Sequence, residues 1–363
     1  MLVTGHQGTS GDSAGGDAGG ADIRPGRRGR RTLRGVGGVL AGLLVLGAGA
    51  AAWAYLRLDG NIRGVDIDQA LGDDRPARST ATPAPSPYGD ASPLPAGPLN
   101  LLVLGSDSRS GAENLKLGGG PEGGARSDTA MVVHLDAGRT SATVVSIPRD
   151  TLVDRPSCPA EDGDTTRPAS GVMFNTAYEV GGPVCAVKTV EALTGVRMDH
   201  YVEIDFAGFA RLVDALGGVT VTTREDIDDD RSHLTLDAGT HHLDGEQALA
   251  LARTRYDVGD GSDLNRITLQ QDLVRALVRQ ITALDLPANP AALFRAADAL
   301  TGGLTTDTGL DSLGELASLA RSLEGLTADR VTTVTMPVLP APLDPNRVVP
   351  DEPEAGRLWA SLT

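Results

Sequence analysis

The sequence predicts an α/β fold: an α-β-α layered domain with a central mixed β-sheet flanked by helices, preceded by one N-terminal transmembrane helix. Three observations predict it. From Leu99 onward, short apolar runs alternate with longer segments of helical period, the order that lays helices over a sheet. The runs are separated by turn residues, as in Asp136-Ala137-Gly138. Finally, Val36 to Leu56 is an uncharged apolar run of about the length that crosses a bilayer as a helix.

Taken in order, residues 1–35 are expected to be a disordered, basic cytoplasmic tail. Residues 1–23 are rich in Gly, Ser and Asp and have little to bury. Arg24, Arg27, Arg28, Arg30, Arg31 and Arg34 face only Asp12, Asp17 and Asp22, so this end carries +3 of a net −16 and the remainder carries −19. Arginines before the span at 36–56 place that end in the cytoplasm, and Trp53 and Tyr55 suit the far interface. This gives a single-pass protein of the cell membrane with its bulk outside the cytoplasm. A cleaved signal peptide is the competing reading, because Ala50–Ala54 resembles a cleavage site, although the run is longer than a usual signal core. Residues 57–98, rich in Pro, Ala and Ser from Pro76 to Pro98, read as an extracytoplasmic stalk.

The folded domain is expected over 99–363. Leu99–Leu104, Ala130–Leu135 and Thr143–Ile147 read as buried strands, Pro183–Leu193 as a helix, and Met198–Ile204 as a further strand. Asp205 caps a helix with Phe206, Phe209, Leu212, Val213 and Leu216 on one face, ending at Gly217. Val219–Thr223 is a strand. A long helix from Ser262 to Leu284 carries a stripe of Leu264, Ile267, Val274, Leu277, Val278 and Ile281. More helix is expected between Pro290 and Leu326, then a strand at Val331–Pro337.

Composition removes several functions. An acidic chain lacks the basic face that nucleic acid requires, and 3 % aromatics leave no base-stacking platform. Cys158 and Cys185 cannot build a structural zinc site alone. They either pair in an oxidising compartment or remain two buried thiols. No G-x-S-x-G elbow, H-E-x-x-H or P-loop is present.

Four clusters put charge where an apolar element ends. They are Gly105-Ser106-Asp107-Ser108-Arg109, Arg126-Ser127-Asp128-Thr129, Ser146-Ile147-Pro148-Arg149-Asp150, and Arg253-Thr254-Arg255 continuing to Asp263, Arg266 and Gln270. Arg253 and Arg255 share a face if their segment is extended. Asp263, Arg266 and Gln270 stack along one side of a helix. Guanidinium forks grip phosphate oxygens in a bidentate way. Aspartates among them make sense if a cation lies between carboxylate and phosphate, and Asp107 and Asp128 are the natural pair for magnesium, with manganese as a substitute.

In that order the clusters resemble the LytR-CpsA-Psr family of envelope phosphotransferases. The resemblance rests on Leu-Leu-Val-Leu-Gly-Ser-Asp-Ser-Arg (101–109), Arg126-Ser-Asp-Thr, Ser146-Ile-Pro-Arg-Asp and Phe174-Asn-Thr-Ala-Tyr. It continues through Asp205-Phe-Ala-Gly-Phe, Asp214-Ala-Leu-Gly-Gly-Val, Leu243-Asp-Gly-Glu-Gln-Ala and Ala252-Arg-Thr-Arg-Tyr.

The resemblance implies transfer of a polyprenyl-diphosphate-linked glycan to the muramic acid 6-hydroxyl of peptidoglycan. Asp107 and Asp128 would hold magnesium; Arg126, Arg149, Arg253, Arg255, Arg266 and Gln270 would surround the diphosphate, with Arg109 nearby. Asp150 and Asp263 are the candidates for a general base, or else orient arginines. A disulfide between Cys158 and Cys185 has a parallel in some members. Met173 stands where many members have lysine. Two other readings of the site stay open: a lipid-diphosphate hydrolase, with water replacing the sugar hydroxyl, and a non-catalytic binding or regulatory module.

Overall fold

The structure, a computed structural model, describes residues 47–78, 97–106, 127–159, 164–255, 263–284 and 289–363, with the side chain of Asp128 excepted. The chain divides into two units, residues 1–52 and 53–363. Residues 47–52, the described part of the first, are helical. Among the described residues no helix is long and apolar enough to cross a membrane. Residues 36–46 of the span expected at 36–56 lie outside them.

The second unit opens with helical residues 53–59 (α1). Then come β1 (Arg63–Val65), α2 (Ile67–Leu71), β2 (Leu99–Ser106), β3 (Ser127–Leu135), β4 (Ala142–Ile147), β5 (Leu152–Arg155) and β6 (Ala169–Met173). The middle of the chain holds α3 (Asn175–Thr194), β7 (His200–Asp205), α4 (Phe206–Ala215), β8 (Val219–Thr223), β9 (Ile227–Asp229), β10 (Leu234–Leu236), β11 (Gly239–Leu243), α5 (Gly245–Arg253) and α6 (Asp263–Ala283). It ends with α7 (Pro290–Thr301), β12 (Leu304–Asp307), α8 (Leu313–Ser322), β13 (Val331–Thr335), β14 (Val338–Ala341), β15 (Asp344–Pro350) and α9 (Glu352–Ala360).

Seven strands form one mixed sheet in the order β1-β12-β7-β2-β3-β4-β13. Its central strands are apolar on both faces, so both must be covered. Leu102, Leu104, Val132, Val145 and Ile147 pack on Ala186, Val187 and Val190 of α3 and Trp359 of α9. Leu99, Leu101, Met131 and Val144 pack against Val274 and Val278 of α6 and Leu319 of α8. This is the expected α-β-α sandwich. A satellite core under β8 to β11 joins Val219, Ile227, Leu243 and Leu251 to Leu273 of α6.

Several elements differ from expectation for identifiable reasons. The helix expected from Pro183 begins at Asn175, and the chain breaks helical geometry at Gly181 and Gly182 (φ 59°) before Pro183 restarts it. Between Pro290 and Leu326 a strand interrupts the helix, because β12 pairs with β7 inside the sheet, next to the edge strand β1. Residues 57–78, expected to belong to the stalk, fold with the domain: β1 pairs parallel to β12, and Ile67 and Leu71 are buried in the main core. On α6 the stripe expected from Leu264 to Ile281 holds only in part. Leu264 and Ile281 are 40 % and 43 % exposed, whereas Asp263, Arg266, Gln270 and Gln271 are buried with Ile267 and Leu273.

Candidate functional site

Strand direction decides where the site lies. β2 runs with β7 and against β3, and β4 runs against β3 and with β13. The C-terminal ends of β2, β4, β7 and β13 therefore share one edge with the N-terminal end of β3. Ligands of α/β sheets gather at such edges, where loops diverge and backbone donors are unspent.

Arg149 and Asp150 leave the end of β4, and Asp263 opens α6. Asp263 accepts the Arg149 backbone N–H at 3.3 Å and lies 3.4 Å from Arg149 Nε and 2.6 Å from Arg266 Nη2. Asp150, 6 % exposed, faces Arg149 Nε at 3.9 Å, Arg255 Nη2 at 3.7 Å and Arg347 Nη1 at 3.2 Å. Four guanidinium groups from four separate segments thus converge on two carboxylates at one sheet edge. Carboxylates behind guanidiniums fix the direction of each fork and keep the cluster of like charges together.

The frame under these residues is polar and closely bonded. Gln270 Nε2 donates to Thr129 Oγ1 and to Ala252 O, both at 2.9 Å, so its amide braces α6 against β3 and α5. Gln271 Nε2 reaches Ser146 Oγ and Thr335 Oγ1. The buried Asp229 accepts the Arg255 N–H at 2.9 Å. Asp244 and Gln247 form a reciprocal capping box that starts α5. α5 approaches α4 so closely that a Cβ on Gly245 would lie 2.1 Å from Ala210 O. That approach delivers Arg253 to the start of α4, where its guanidinium lies 5.0 Å from the Phe206 ring centroid.

The residues read from sequence fall as follows. Arg149, Asp150, Asp263, Arg266 and Arg255 come together, and Gln270 lies beneath them. Arg253 is the last residue of a helix and not part of an extended pair, because α5 runs through it and the chain opens only at Thr254 (ψ 128°). Asp107, Arg109 and Arg126 lie outside the described residues. Asp128 is placed by its backbone alone: Gly105 pairs with Thr129 and Ser106 with Ser127, so Asp128 is the extra residue of a β-bulge. Bulges re-aim side chains at sheet ends. Cys158 and Cys185 form a disulfide that ties the loop after β5 to α3, and Met173 closes β6, half-buried. Sequence reading missed Arg347 and Asp229, since neither stands at a helical or strand spacing from another site residue.

Comparison with known proteins matches the LytR_cpsA_psr family over residues 54–362. The probable cell wall biosynthesis protein LcpB of Corynebacterium glutamicum is 33 % identical, over 91 % of this chain and 72 % of its own. The cell wall biosynthesis protein LcpA of the same species is 33 % identical, over 67 % and 50 %. The polyisoprenyl-teichoic acid–peptidoglycan teichoic acid transferase TagV of Bacillus subtilis is 31 % identical, over 64 % of this chain and 57 % of its own. Its crystal structure superposes with a TM-score of 0.58 at 27 % identity, over 74 % of this chain and 97 % of that one.

Proposed function

Because the chain belongs to the LytR-CpsA-Psr family, we propose that it is a cell-envelope phosphotransferase that moves a polyprenyl-diphosphate-linked glycopolymer onto the muramic acid 6-hydroxyl of peptidoglycan. One observation carries the chemistry: Arg149, Arg255, Arg266 and Arg347 converge on Asp150 and Asp263 at the sheet edge. A diphosphate is the ligand class that planar, permanently charged donors from several directions suit best. The name of TagV supports a polyprenyl-linked glycopolymer as donor and peptidoglycan as acceptor.

In the proposed reaction the acceptor oxygen forms a bond to the phosphorus beside the glycan. The bond from that phosphorus to the bridging oxygen breaks, and polyprenyl phosphate leaves with the bridging oxygen. The hydroxyl proton passes to a carboxylate. Asp263 is engaged by Arg266 at 2.6 Å, whereas the arginines stand 3.2–3.9 Å from Asp150, which makes Asp150 the better acceptor of the two. Arg149 and Arg266 hold the diphosphate and offset the charge that grows on the leaving phosphate. Asp107 and Asp128 would hold magnesium, which supplies further neutralisation of phosphate oxygens. The fit is by donor chemistry and sequence: a hard carboxylate residue follows Ser106 in the chain, and the backbone of Asp128 stands at the bulge opposite Ser106. The lipid-linked donor suits a chain anchored by the span expected at 36–56, with its domain outside the cytoplasm.

The test uses full-length protein in detergent with a synthetic polyprenyl-diphosphate glycolipid, peptidoglycan fragments and magnesium. Wild type is expected to attach glycan and release polyprenyl phosphate, and Arg149→Ala to lose about 100-fold or more. Release of lipid phosphate without attachment, whatever acceptor is supplied, would replace the transferase with a hydrolase. Absence of any turnover would refute an enzymatic role.

A further inference from the structure

The C-terminal hairpin reaches the site. β14 and β15 pair antiparallel, and β15 lies against the loop after β4: Thr151 and Val348 form a parallel bridge, and Val348 N donates to Asp150 O at 3.5 Å. This backbone contact brings the neighbouring Arg347 to Asp150, with Nη1 3.2 Å from Oδ1. On its own strand Arg347 also faces Asp344 at 3.8 Å. Its side chain is 31 % exposed and that of Asp150 only 9 %. The guanidinium therefore stands at the mouth and the carboxylate beneath it.

We propose that Arg347 is a positioning residue for the transfer, acting through Asp150; the inference rests on the reading of the site as a phosphotransferase centre. Asp150 is held from two sides. Arg255 stands at Oδ2 and Arg347 at Oδ1. With both present the carboxylate plane is fixed, and the oxygen that receives the acceptor proton points one way. Without Arg347, Oδ1 keeps only the longer 3.9 Å approach of Arg149 Nε among these contacts, and the group can rotate away from the acceptor. The hairpin is then a working part of the site and more than a cover over β5.

The experiment compares full-length wild type, Arg347→Met, Arg347→Lys, Asp150→Asn and the Arg347→Met/Asp150→Asn pair in the glycan-attachment assay, with thermal unfolding alongside. Loss of a residue that orients a reacting group lowers turnover by about 10- to 100-fold. Arg347→Met should show that loss in kcat, with KM for the lipid donor within about twofold. Arg347→Lys, which keeps a cation within reach, should recover most of it. In the Asp150→Asn background Arg347→Met should have no further effect. A rise in KM with kcat intact would make Arg347 a donor-binding group and overturn the positioning role. A loss that tracks a fall in melting temperature, or one that adds fully to Asp150→Asn, would also overturn it. An active wild type with an equally active Arg347→Met refutes the inference alone, whereas an inactive wild type refutes the transferase reading and the inference with it.

Discussion

Arg75 fastens the segment expected to be the start of a stalk, and its removal tests whether that segment belongs to the fold. Its side chain is 1 % exposed and meets Glu191 of α3, itself 3 % exposed, with Nη2 2.6 Å from Oε1 and Nε about 3 Å from both carboxylate oxygens. Nη2 also donates to Met198 O at 2.7 Å, and Nη1 reaches Asp68 of α2. Asp68 is 59 % exposed, so its share is small. Arg75→Met leaves the buried Glu191 carboxylate with the Met198 N–H as its one hydrogen-bond donor among the described residues. Stranding one member of a buried pair costs about 3–5 kcal/mol. For a unit of roughly 300 residues each kcal/mol lowers the melting temperature by about 1.5 °C, so a fall of roughly 5–8 °C is expected in thermal unfolding followed by circular dichroism. Adding Glu191→Gln removes the stranded charge while keeping an oxygen for Met198 N–H, and should recover most of the loss. A single variant that melts within about 1 °C of wild type, or a double variant with no recovery, would refute the claim that residues 57–78 are integral to the domain.

Two other predictions concern stability. Cys158 and Cys185 close a loop with a sequence separation of 27, for which chain entropy gives a contribution of about 3–4 kcal/mol. The paired Ser variant should melt several degrees lower, and reductant should lower wild type to match it while leaving the variant unmoved. Burial lowers the His134 pKa from 6.5, although Asp136 and Asp199 pull the other way; its Nδ1 lies 2.8 Å from Asn100 Oδ1. The unfolded chain therefore binds this proton more readily than the native one. The resulting stability is complete above pH 6.5 and is lost as pH falls toward the lower native pKa. His134→Gln should flatten the unfolding free energy measured by denaturant titration across that window.

Local pattern was enough wherever one element decides its own form. Leu99–Leu104 and Ala130–Leu135 declare doubly covered strands because all but one position in each, Asn100 and His134, is apolar, and Val219–Thr223 declares itself by alternation. Asp205 announces a helix start, and its carboxylate does accept Gly208 N–H at 2.6 Å. The clusters at Arg149-Asp150 and at Arg255, Asp263 and Arg266 were legible for the same reason, since charge at the end of an apolar run has few uses inside a fold. What the sequence left undecided are properties of pairs distant along the chain. β1 has three residues and one partially buried side chain, so only β12 makes it a strand. β12, Leu-Thr-Thr-Asp, offers too little apolar surface to compete locally with helix and forms because β7 presents an unpaired edge. α5 is short, and its C-terminus sets the aim of Arg253 through contact with α4. Arg347 has no local signal, because its partner Asp150 is reached across a hairpin whose position depends on Thr151 and Val348 meeting. Residue types and their spacing determined that arginines and aspartates gather where apolar elements end; the register of distant strands decided which guanidiniums meet at the sheet edge.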